Sequence, residues 1–112
     1  MLSNNYKEKV KKAIFKRFTE MGIDDEDTLN ELNDESINSL ENELLKIETI
    51  LESNDISELG FHTHTIKGVL LNAGLNNDAE NFREIKHLFE DGKSDEEIKN
   101  ITKERISIFY KG

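Results

Sequence analysis

Apolar residues at three- and four-residue spacing constrain this chain more than any other feature. Ile37, Leu40, Leu44, Ile47 and Leu51 follow 3-4-3-4 intervals, which puts them on one stripe of a helix turning about 100° per residue. The seam lasts only about two heptads, short of the three or four that indicate an independent coiled coil. It predicts a helix packed antiparallel in a bundle. No proline occurs anywhere in the 112 residues, so long helices can run unbroken.

The same periodicity recurs along the chain. Val10, Ile14, Phe18 and Met21 share a stripe over Asn4 to Met21, and Gly22 is placed to cap it. Asp24 to Asp27 form an acidic entry to the next helix, in which Asn33-Asp34 is a candidate break. Asp55 with Glu58, Asn77 with Glu80, and Ser94 with Glu97 have capping-box spacing. The spacing predicts further helices over 78–91, burying Phe82, Ile85 and Phe89 before Gly92, and over 95–110, burying Ile98, Ile101, Ile108 and Phe109. The expected fold is all-α: an antiparallel four-helix bundle over 23–112 with an additional N-terminal helix over 1–22, in one domain.

Hydrophobic and charged residues each make up 35% of the chain, which implies a narrow core and a heavily charged surface. With no cysteine, disulfide and thiolate chemistry are excluded. No secretory h-region and no apolar run near the roughly 18 residues of a membrane span is present. A cytoplasmic protein that does not engage a membrane is expected. The net charge of −9 is uneven, with six basic residues against two acidic ones in 1–20 and Lys46 the sole basic residue in 24–58. That balance argues against nucleic-acid binding, which needs a positive field. The basic N-terminal face reads chiefly as a solvated complement to the acidic second helix.

Residues 61 to 75 break the pattern of one apolar face per helix. Leu59, Thr63, Ile66, Leu70 and Ala73 form an ordinary core stripe, but Phe61, His64, Gly68, Leu71 and Leu75 lie roughly opposite. Apolar side chains ringing a histidine on an outer face predict a docking site. Gly68, one turn beyond His64, costs about 1 kcal/mol relative to alanine in mid-helix and leaves room beside the ring. Lys67 brings an ammonium within one turn. A neutral imidazole is nucleophilic near pH 7. The plainer role for His64 is a surface histidine; Lys67 and Gly68 turn the balance toward a phosphoryl carrier. His62 lies about 200° round the helix, toward the core flank, and reads as a partly buried, hydrogen-bonded histidine. The two rings diverge, so no metal site is expected, and His87 reads as exposed and without a role.

His64-Thr65-Ile66-Lys67-Gly68, followed by Asn72 and by Gly74 ten residues after the histidine, resembles histidine-containing phosphotransfer (HPt) domains. The likeness covers 30–110. This chain departs from the family's usual small residues after the glycine with Val69, Leu70 and Leu71, and Leu71 narrows the face around His64.

The resemblance implies a phosphorelay intermediate that carries a phosphoryl group on His64 between receiver-domain aspartates. Lys67 would stabilise the phosphate and Gly68 would give access. Phe61, Leu71 and Leu75 would supply docking contacts, with Asn72 a further polar one and Arg83 and Lys86 a supporting rim. The implied partners are response-regulator receiver domains and a sensor or hybrid histidine kinase, with the chain itself a monomer. No Gly-rich phosphate loop is present, so the chain is not an ATP-dependent kinase by itself. It would bind no cofactor, and Mg²⁺ would come with the receiver. Two other readings fit the residues. One is a non-catalytic helical adaptor that docks receivers, and the other a phosphotransfer domain cut from a chemotaxis-type histidine kinase. Gly74 is expected to face the core for close packing.

Overall fold

The 3-4 apolar stripe forms one uninterrupted helix, α2 (Glu26–Leu51), in the computed structural model, which describes residues 1–111. Leu29, Leu40, Leu44, Ile47 and Leu51 are buried along it. The expected break at Asn33-Asp34 does not occur. Asn33 turns inward, is buried, and carries an Oδ1 with no partner; packing on both sides of it outweighs its modest helix propensity. The start is fixed by Asp25, whose carboxylate accepts from the Thr28 N–H at 3.1 Å and the Thr28 hydroxyl. These bonds hold the Asp25 carboxyl below its ordinary range.

The remaining helices are α1 (Asn4–Glu20), α3 (Leu59–Asn72), α4 (Asn76–Glu80), α5 (Ile85–Glu90) and α6 (Asp95–Ile106), followed by a 3-10 turn, Ser107–Phe109. No strand occurs among the described residues. The chain is all-α. Its arms are α2, α3, α4 with α5, and α6, joined by short connections that favour antiparallel neighbours, and α1 is added at the N-terminus. One core spans them, with Val10, Ile14, Leu44, Ile47, Leu59, Ile66, Ile85, Ile98 and Phe109 among its buried members.

Helix α1 belongs to that core through Tyr6, Val10 and Ile14. Met21, expected on this stripe, is 63% exposed and lies past the helix end, and Tyr6 occupies the inward position one turn before Val10. The Tyr6 ring meets Phe109 edge-on at 4.8 Å, and its hydroxyl donates to Asp78 at 2.8 Å. Burial first, then the hydrogen bond and charge of Asp78, push this phenol far above its ordinary value. Ser3 caps α1 and ties the N-terminus to the last turn, its N–H donating to the Phe109 carbonyl at 2.8 Å.

The helix expected over 78–91 is two short ones. Between them the N–H groups of Asn81, Phe82 and Arg83 reach back three residues to Asp78, Ala79 and Glu80, the tighter 3-10 pattern. Phe82 is thereby driven inward and stacks on Phe109 at 5.6 Å. A side chain that large, buried at the junction, sets the backbone against a continuous helical pattern. The last helix likewise ends at Ile106, four residues before the expected end.

Of the three expected capping boxes only Ser94 acts as a cap, accepting from the Glu97 N–H at 3.2 Å. Asp55 instead closes a turn by accepting from Ser57, and neither α3 nor α4 has a side-chain cap. Gly74 also departs from its expected place. It does not face the core but sits past the end of α3 with φ +85. The N–H of Gly74 bonds the Leu71 carbonyl and that of Leu75 bonds the Leu70 carbonyl, a Schellman closure that favours glycine at this left-handed position. A Cβ there would also meet Arg17 of α1 at 3.4 Å.

Candidate functional site

Helix α3 places its inner stripe (Leu59, Thr63, Ile66, Leu70) in the core and leaves His64 exposed on the opposite side. Its threonines do not disturb it: Thr63 and Thr65 donate their hydroxyls to the carbonyls of Leu59 and Phe61 at 2.9 and 3.1 Å. The inner stripe therefore fixes the direction of His64 by burying everything behind it.

Neither the His64 ring nor the Lys67 ammonium has a hydrogen-bond or ion-pair partner among the described residues. Lys67 is half-buried one turn away. A Cβ built on Gly68 would touch nothing within 4 Å, so the fold itself does not require glycine there. The space beside the imidazole is open. Phe61 is 66% exposed and Leu71 38% exposed, and both lie within about 60° of His64 on the helical wheel.

Two depressions flank the ring. A cleft of about 490 Å³ is lined by Phe61, Phe89, Gly60, Ser57, Lys86 and Glu90 with His64. A smaller hollow of about 200 Å³ brings together His64, Lys67, Arg83, Lys86 and His87 above Thr63 and Phe82. Helix α5, packed on α3, supplies the far wall of both, and the turn before it adds Phe82 and Arg83 to the smaller one.

His62 has a different environment. Its ring is buried, with Nδ1 2.6 Å from the Glu43 carboxylate of α2 and Nε2 3.9 Å from Glu58. The two histidines point away from each other, one held and one open. No group of three or more His, Asp or Glu side chains among the described residues is arranged to hold a metal ion.

The family model for the Hpt domain matches residues 26–107, from the start of α2 into the closing 3-10 turn. The chain belongs to the HPt domain family. Membership places it in phosphotransfer of two-component signalling. No curated protein and no solved structure matches the chain.

Within this HPt domain the structure gathers His64, Lys67, Gly68, Phe61, Leu71, Arg83 and Lys86 on one side. It does not bring in Leu75 or Asn72. Leu75 follows the Gly74 closure, where the 100° progression of the helix has ended, and it packs half-buried against the core. Asn72 lines a separate hollow with Arg17, Phe18, Met21, Leu32, Glu35 and Ser36 where α1 crosses α2. Phe89, Glu90 and His87 are neighbours of His64 that the sequence does not disclose, because they reach it across a helix–helix contact. The one available signal is Gly60: a Cβ there would lie 3.9 Å from the Phe89 ring. Helix α1 lies outside the matched span. No helix among the described residues is long and apolar enough to cross a membrane.

Proposed function

We propose that His64 carries a phosphoryl group between the aspartates of two receiver domains in a phosphorelay. The observation that carries this reading is His64 itself: exposed, unpartnered, with a cation one turn along the helix at Lys67 and open space over Gly68. An imidazole nitrogen attacks the phosphorus of an aspartyl phosphate. The phosphorus–oxygen bond to the aspartate breaks, the carboxylate leaves, and the ring gives up its N–H proton to solvent. The reverse sequence delivers the group to the second aspartate.

Transfer of this kind depends on alignment and charge neutralisation more than on covalent help from the protein. Lys67 balances phosphoryl charge, and Gly68 lets the receiver backbone approach the ring. Phe61 and Leu71 provide apolar docking area, with Lys86 and Arg83 beside it. The receiver brings the Mg²⁺, and a sensor or hybrid kinase in the cytoplasm supplies the phosphoryl groups upstream. The HPt domain works as a monomer, since its docking face must be free for receivers.

The test is phosphate transfer from a ³²P-labelled receiver with Mg²⁺, into wild type and His64→Gln. Acid-labile, base-stable label on wild type and none on the variant is the expected result. Receiver binding without label on either protein would make the chain an adaptor instead.

A further inference from the structure

The hollow beside His64 has a volume of about 200 Å³. That is enough for a phosphoryl group with part of its hydration. Besides His64, four side chains that carry or can carry positive charge line it (Lys67, Arg83, Lys86 and His87), and no carboxylate does. The chain as a whole has a net charge of −9, so this concentration runs against its composition. The nearest acids stand outside the hollow, Glu80 holding Arg83 at 3.4 Å and Glu90 holding His87 at 3.2 Å. Both of those pairs are more than half exposed on each side, so they exchange readily with water or a better anion. Lys86, like Lys67, has no partner among the described residues.

The turn between α4 and α5 makes this arrangement. Burying Phe82 interrupts the helix at the residue before Arg83, and Arg83 and Lys86 then both reach the hollow from the far wall. Arginine offers a planar fork suited to two phosphoryl oxygens, and lysine a mobile point charge.

We infer that Arg83 and Lys86 close with Lys67 on the phosphoryl oxygens of phosphorylated His64, Arg83 exchanging Glu80 for the phosphoryl group. This rests on the carrier reading above and extends it: the chain's own cations, and not only those of a receiver, set the lifetime of the phosphohistidine. Hydrolysis passes through a loose transition state in which charge leaves the phosphoryl oxygens for the departing imidazole. Cations on those oxygens therefore hold the ground state more strongly than the transition state and slow loss to water, whereas in transfer the receiver aligns the acceptor and brings its own Mg²⁺ to the oxygens.

The experiment needs no receiver. Phosphoramidate phosphorylates the ring directly: an imidazole nitrogen attacks phosphorus, the bond to the amide nitrogen breaks, and ammonia leaves with the ring proton. Phosphohistidine is then followed by ³¹P NMR after removal of the donor, in wild type, Arg83→Ala, Lys86→Ala and the double variant. Each single variant is expected to shorten the half-life roughly two- to fivefold, as for exposed charge pairs. The double variant should lose more, and Arg83→Lys should recover part of the loss. Melting midpoints should stay at the wild-type value. An unchanged half-life in the double variant overturns the inference and leaves the carrier reading standing. So does a shortened half-life that tracks a fall in melting midpoint, since that is a structural effect. Absence of any phosphohistidine signal on wild type overturns the carrier reading itself.

Discussion

A methyl group at Gly68 would touch nothing in the chain within 4 Å, yet glycine in a helix interior costs about 1 kcal/mol relative to alanine. Gly68→Ala is therefore expected to stabilise the fold by about 0.5–1 kcal/mol, read as a higher melting midpoint. If the open space serves an approaching receiver, the same variant accepts phosphate more slowly, and Gly68→Gln more slowly still. A variant that is both more stable and equally fast would remove the access role. His62 gives the converse case. Its ring is held by Glu43 at 2.6 Å and buried, so His62→Gln should keep the label that His64→Gln loses. Transfer assays on the two variants side by side check this.

At the scale of elements, Ser94 is the one expected capping-box residue that caps its helix, and Ser94→Ala should cost about 1 kcal/mol in denaturant unfolding. It was legible because everything around it is local: a serine, three acids and an apolar stripe in consecutive turns. The long seam of α2 and the two faces of α3 were legible for the same reason, since 3.6-residue periodicity is written in neighbouring positions. What escaped depends on distant contacts. Phe82 bends the α4–α5 arm because Phe109, twenty-seven positions later in the sequence, stacks on it. Leu75 left the His64 face because Gly74 closes the helix first. Phe89 and Glu90 joined the site across an interhelical contact that no spacing rule encodes.

For the molecule as a whole, α1 shares one core with the bundle although it lies outside the matched HPt span. Ile14 is fully buried there, so Ile14→Ala should destabilise the entire chain by about 2–5 kcal/mol in a single cooperative transition. A loss confined to α1, seen as an early partial transition, would show that the bundle stands without it. Tyr6 adds a pH signature. Its phenol is raised in the fold above the ordinary value of 10.0. The stability it contributes is thus complete below pH 10 and is lost as pH rises through the raised folded value. Stability should fall with pH above about 10, and Tyr6→Phe, which keeps the ring on Phe109, should flatten that fall. Tyr110, raised by burial and by Glu48, contributes in the same direction and leaves a residual slope.

The carrier role requires that the phosphoryl group leave as well as arrive. The most direct measurement is a chase: ³²P-phosphorylated chain, freed of its donor, is mixed with an unlabelled receiver domain and Mg²⁺. On the carrier reading, label disappears from His64 as base-labile acyl phosphate appears on the receiver, and Gly68→Gln slows this exchange. Label that stays on the chain, or that is lost only as inorganic phosphate at the rate seen without receiver, would contradict it.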